Sequence, residues 1–135
     1  MNYASDFTGL NTPLLALEKQ GYIVRNRWSC ENTRSCKRLL KHTYGQPDMF
    51  FDDIRDRDLA LLPKDLDFLA SSPPCPPWAR GGKRKGLSCD GGKLWDDTVS
   101  TIAVAKPKVF LIENVDGMVD QKFKHVLDAI VVSLE

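Results

Sequence analysis

The sequence predicts an α/β fold built on a mostly parallel sheet with helices on both faces. Three observations lead there. Short β-branched or aromatic runs alternate with helical periodicities, the connections between them are brief, and 135 residues suffice for one buried core. In order along the chain, Thr12 as N-cap, Pro13 behind it, then Leu14, Leu15 and Leu17 with a stop at Gly21 describe a short helix. Tyr22 to Ser29, with Ile23, Val24 and Trp28, reads as a strand. Thr33 caps a second helix in which Cys36, Leu39, Leu40 and Thr43 recur at helical spacing, so Cys36 is expected in the core; Gly45 and Pro47 end it.

Met49 to Ile54 is a second strand, and Leu66 to Ser71 a third that runs into Ser72-Pro73-Pro74-Cys75-Pro76-Pro77. Arg80 to Gly92, rich in Gly and Lys, is expected to be a mobile loop with nothing buried. Leu94, Trp95, Thr98, Val99 and Ile102 carry helical spacing as far as Pro107, and both Trp78 and Trp95 read as packing residues. Val109 to Ile112 looks like the most deeply buried strand. Val119, Phe123, Val126, Leu127, Ile130 and Leu134 form the apolar stripe of a last helix.

Nineteen basic against eighteen acidic side chains leave a net charge of +1, which excludes a generally basic coat but not a local patch. A 42% hydrophobic, 27% charged composition excludes disordered, collagenous and disulfide-scaffold classes. Nothing approaches the roughly 20 apolar residues of a membrane span, and Met1 to Leu10 lacks the features of a signal peptide, so the expected location is cytoplasmic or nuclear rather than secreted. Cys30, Cys36, Cys75 and Cys89 form no C-x-x-C pair; no metal site is expected, and the thiols should be free.

In parallel sheets ligands bind beyond the carboxyl ends of the strands. Gly9, Glu31, Asp53, Cys75 and Glu113 each follow a strand or, for Gly9, a short leading segment, so the five are expected along one sheet edge. The prolines around Cys75 fix the backbone and present the thiol rather than hide it. Arg80, Lys83, Arg84 and Lys85 place four positive charges just after it, as a solvated loop or as phosphate contacts.

Ser72-Pro73-Pro74-Cys75 after one strand and Glu113-Asn114-Val115 after the next resemble the cytosine-5 DNA methyltransferase family. Phe7-Thr8-Gly9 is similar to the opening of that family's S-adenosylmethionine loop, although Asn11 and Thr12 replace its paired glycines. Ser5 stands where its leading aspartate would be, and Asp6 follows one position late. Pro76 replaces the usual Gln after the cysteine, and Asp90-Gly91-Gly92 replaces an Asp-x-Arg. The resemblance implies a Rossmann-like S-adenosylmethionine-dependent methyltransferase fold, truncated at the C-terminus: a single partial catalytic domain over 1–135 with no target-recognition domain. It implies Cys75 and Glu113 as catalytic, Phe7, Gly9, Glu31, Asp53 and Ile54 as cofactor-binding, and Asn114, Arg80, Lys83, Arg84 and Lys85 as substrate-binding. The family's Arg-x-Arg pair has no counterpart after Glu113; Arg25-Asn26-Arg27 and Arg55-Asp56-Arg57 lie upstream of Cys75 and are not recruited to that role.

The implied chemistry explains the residue types. Cytosine carbon 5 is too weak a nucleophile until a thiolate adds at carbon 6, and a carboxyl group at the N3 edge receives the electron density pushed into the ring. The implied partner is DNA with the cytosine flipped from the duplex. RNA, through a tRNA cytosine-5 methyltransferase, is one alternative; a non-catalytic cofactor- or partner-binding remnant is the other. The missing later elements would come from a second polypeptide.

Overall fold

The computed structural model describes residues 1–82 and 84–134. Among them, β1 (Asn2–Asp6), β2 (Arg25–Cys30), β3 (Met49–Phe51), β4 (Phe68–Ser71) and β5 (Val109–Ile112) form one sheet in the order β3-β2-β1-β4-β5. Every neighbouring pair is parallel. The helices are α1 (Thr12–Lys19), α2 (Arg34–Tyr44), α3 (Asp90–Ala105) and α4 (Lys124–Leu134).

Alternation along the strands separates two cores. On one face Tyr3 of β1 and Ala70 of β4 pack with Leu14 and Leu17 of α1 and Tyr44 of α2. On the other, Ala4, Trp28 and Leu69 meet Leu62, Leu66 and the α3 residues Ile102 and Ala105. A third cluster beside β5 gathers Trp78, Trp95, Met118, Phe123 and Ile130, which bears out the packing role of both tryptophans. The expected α/β layering is present.

Five expectations need correction. The central strand, β1, carries little apolar signal because Asn2, Ser5 and Asp6 occupy it, yet it is paired on both sides. Helix α1 starts at Thr12 but its cap is Asn11, held in the left-handed region at φ 54° with its Oδ1 turned inward to accept from the Tyr3 hydroxyl at 2.6 Å. Strand β5 is an edge, not a buried strand: Val109 and Leu111 are 55% and 47% exposed, since no further strand covers it among the described residues. Arg80–Gly92 is not all solvated: Gly86 and Gly92 are buried, Gly86 N–H donates to the Pro77 carbonyl at 3.0 Å, and α3 already begins at Asp90. Cys36 is only half-buried, because Leu40 is the one residue of α2 that is fully buried.

Candidate active site

Because all five strands run the same way, the segments that follow them share one edge of the sheet. Gly9, Glu31, Asp53, Cys75 and Glu113 therefore converge as expected. The chain leaves β1 for β2 and β3 on one side and returns through β4 and β5 on the other. That reversal opens a crevice between β1 and β4. The Phe7–Gly9 turn and the Pro-Pro-Cys turn lie on its two sides.

On the β1–β2–β3 side, Phe7, Glu31, Asp53, Ile54, Arg55 and Leu94 line a cleft. Glu31 is buried, and its oxygens are held by backbone: Gly9 N–H donates to Oε2 at 2.6 Å and Thr33 N–H to Oε1 at 2.7 Å. Gly9 sits at φ 52°, a conformation that suits glycine and aims its N–H at the carboxylate. Each carboxylate oxygen keeps a free lone pair after one such bond, so Glu31 can still accept two hydroxyls. Asp53 caps a 3-10 turn by accepting from Arg55 N–H at 3.0 Å, and the Arg55 guanidinium grips it through Nε at 2.9 Å and Nη2 at 2.6 Å. Those Arg55 bonds push the Asp53 carboxyl down to about 2. Ile54 is buried beneath it. Two carboxylates flanked by Phe7 and Ile54 suit a ligand with a vicinal diol at one end and an amino-bearing flat ring at the other. Cys30 lines the same cleft, but burial pushes its thiol up to about 12, so it is inert.

On the β4–β5 side, buried Pro73 and Pro77 anchor a turn whose apex carries exposed Cys75. The Cys75 carbonyl accepts from Trp78 N–H and Ala79 N–H, both at 2.9 Å, which closes the turn. Glu113 N–H donates to the Ser71 carbonyl at 2.9 Å and extends the β4–β5 ladder by one step, leaving its side chain exposed. Asn114 then reaches back. Its Nδ2 donates to the Pro73 carbonyl at 3.0 Å while its Oδ1 accepts from Val115 N–H at 2.9 Å.

A family model, C-5 cytosine-specific DNA methylase, matches residues 1–135. The chain belongs to that family. The chain is 30% identical over 131 residues to the Type II methyltransferase M.PspPI of a Psychrobacter species, covering 96% of this chain and 30% of the relative. It is 28% identical over 118 residues to M.NgoPII of Neisseria gonorrhoeae, covering 87% and 34%. A Spodoptera frugiperda DNMT2 mutant of known structure superimposes with a TM-score of 0.72 at 15% identity, covering 98% of this chain and 41% of that one. This likeness shows the fold, a Rossmann-like methyltransferase fold. The chain thus spans less than half the length of these relatives.

Some partners of the candidate site residues are not visible in the sequence. Arg80 and Arg84 do not project freely: Arg80 Nη2 donates to Asp120 Oδ1 at 2.9 Å, and Arg84 Nη2 to Asp120 Oδ2 at 2.5 Å. Lys85 is exposed, and Lys83 lies outside the described residues. Arg55 is legible as a near neighbour of Asp53 and Leu94 by its helical spacing, as a packing residue only, whereas Asp120 carries no local signal. Asp6 does not substitute for the aspartate that Ser5 replaces, because one step along a strand turns a side chain to the opposite face. Ser5 lies 3.0 Å from Thr8 Oγ1, whereas Asp6 pairs with Arg57 on the α3 side. Among the described residues, no helix is long and apolar enough to cross a membrane.

Proposed function

We propose that this chain is a catalytic segment of a DNA cytosine-5 methyltransferase that acts in the cytoplasm or nucleus and uses S-adenosylmethionine. The observation that carries the reading is the Asn114 bond to Pro73, which ties the thiol-bearing turn to the turn bearing Glu113. Phe7, Gly9, Glu31, Asp53 and Ile54 hold the cofactor: Glu31 accepts the ribose hydroxyls, and Asp53 accepts the adenine amino group beside Ile54. When bound, S-adenosylmethionine supplies an electrophilic methyl group.

The Cys75 thiolate adds to carbon 6 of cytosine; the new S–C bond moves the ring's π pair toward carbon 5, which makes that carbon nucleophilic. Glu113, facing the N3 edge, stabilises the charge that collects there. After methylation, loss of the carbon 5 proton returns the electron pair to the ring and expels the Cys75 thiolate. Asn114 orients the Glu113 turn, and Arg80, Lys83, Arg84 and Lys85 contact phosphate, Asp120 yielding its arginines to it. Base flipping brings a duplex cytosine to this edge.

The domain is partial in this reading. An apolar groove of about 370 Å³ beside β5, lined by Phe110, Ile112, Val119, Val131 and Leu134, receives the remainder of the catalytic domain from the same or a second polypeptide. A non-catalytic remnant that binds cofactor or a partner is the second reading, favoured by Pro76 after the thiol. Radiolabelled methyl transfer to cytosine in duplex DNA, compared with tRNA, and with or without a separately supplied carboxyl-terminal half, tests both. Transfer to DNA supports the proposal; transfer to tRNA alone changes the substrate class; cofactor binding with no transfer under any condition supports the remnant.

A further inference from the structure

We infer that Arg57 is a positioning residue which, locked onto Asp6, holds the Phe7–Gly9 turn and the Asp53–Arg55 turn at a fixed separation across the cofactor cleft. The inference rests on the reading of that cleft given above. Asp6 ends β1 and directly precedes Phe7; Arg57 follows Arg55 by two residues. Both side chains are fully buried, with Arg57 Nη1 donating to Asp6 Oδ1 at 2.6 Å and Nη2 to Oδ2 at 2.8 Å. Trp28 Nε1 donates to the same Oδ1 at 3.0 Å, and Arg57 Nη2 also donates to Thr101 Oγ1 on α3. The guanidinium lies 5.9 Å from the Trp28 ring centroid and 5.6 Å from that of Phe51.

This arrangement is costly. Two ions are stripped of water, and the buried Arg57 Nε has no partner. Apolar side chains of similar volume would close the same space without desolvating two ions, giving up only the acceptor of Trp28 Nε1, so cohesion alone does not account for the pair. A two-point planar bond adds what apolar packing lacks, a defined distance and angle between the groups it joins. Here those groups are the exits of two cofactor-bearing segments, and Thr101 adds the helix that contributes Leu94 to the cleft wall.

The test compares the parent chain with Asp6→Leu/Arg57→Met and with Arg57→Lys in three measurements. These are the thermal midpoint, calorimetric affinity for S-adenosylmethionine, and amide hydrogen exchange in residues 7–9 and 53–55. In the double variant the relief of ion desolvation is offset by the loss of the acceptor of Trp28 Nε1, so the midpoint is expected to stay near the parental one while the affinity falls roughly tenfold, the scale of loss that follows a small misplacement of binding groups. Exchange in both turns should rise while exchange in β4 stays parental, and Arg57→Lys should fall between. Parental exchange in both turns of the double variant overturns the inference; should that variant not fold, parental exchange in Arg57→Lys does so. A parent that binds no S-adenosylmethionine refutes the cleft reading, and the exchange result then still decides the role of Arg57.

Discussion

The side-chain amide of Asn114 donates to the Pro73 carbonyl oxygen across 3.0 Å, joining two turns 41 residues apart in the chain. Neither turn has a regular element at its tip, so this bond and the β4–β5 ladder set the relation of Cys75 to Glu113. Asn114→Ala removes this bond and the one that its Oδ1 accepts from Val115 N–H, and should cost about 1 to 3 kcal/mol in urea unfolding, at roughly 0.5 to 1.5 kcal/mol net for each hydrogen bond. It should also slow any reaction at Cys75 that depends on Glu113. Parental unfolding and parental reaction rates in Asn114→Ala would dismiss the tie.

Glu31 should dominate cofactor affinity. Glu31→Ala removes the acceptor of two backbone N–H groups as well as the candidate ribose contact, and titration calorimetry should show a loss of roughly 1.5 to 3 kcal/mol for S-adenosylmethionine. Unchanged affinity would move the pocket elsewhere.

Asp53 makes stability depend on acid pH. Its folded carboxyl is depressed to about 2 by the Arg55 bonds, below its ordinary 3.8, so the contribution is complete above the ordinary value and lost as pH falls through the folded one. The thermal midpoint of the parent should exceed that of Asp53→Asn near neutrality, and the gap should close between about pH 4 and pH 2. A gap that persists at pH 2 would contradict the Asp53–Arg55 pairing.

Gly86 couples the loop after Cys75 to the packing beside β5. At φ 55° an added Cβ would stand 3.1 Å from Phe123 Cε1 and 3.3 Å from Trp78 Cζ3. Gly86→Ala should therefore destabilise by roughly 1 to 3 kcal/mol through combined backbone strain and overpacking. Chemical denaturation with a parental midpoint would show that this segment yields freely.

Legibility in the sequence followed the range of the interaction. Helix α2 announced itself through the spacing of Leu39 and Leu40 and the stop at Gly45, and the strand ends through turn residues, so the convergence of Gly9, Glu31, Asp53, Cys75 and Glu113 could be foreseen. Strand β1 was obscured because its buried polar residues take partners far along the chain, Asp6 from Arg57 and Trp28 and Ser5 from Ser29 besides its neighbour Thr8. The same distance hid Asp120, whose hold on Arg80 and Arg84 spans 40 and 36 residues. Strand β5 misled for a different reason: Val109-Phe110-Leu111-Ile112 is apolar enough for a sheet interior but lies at an edge.

The central claim is that Cys75 attacks cytosine. Duplex DNA carrying 5-fluorocytosine blocks removal of the proton that would release the enzyme, so the adduct persists and the trapped residue can be read by peptide mapping. Incubated with S-adenosylmethionine and the carboxyl-terminal half, the chain should yield a covalent complex through Cys75 that Cys75→Ser abolishes and Cys30→Ser leaves intact. A complex through another cysteine, or one that survives Cys75→Ser, would contradict the account.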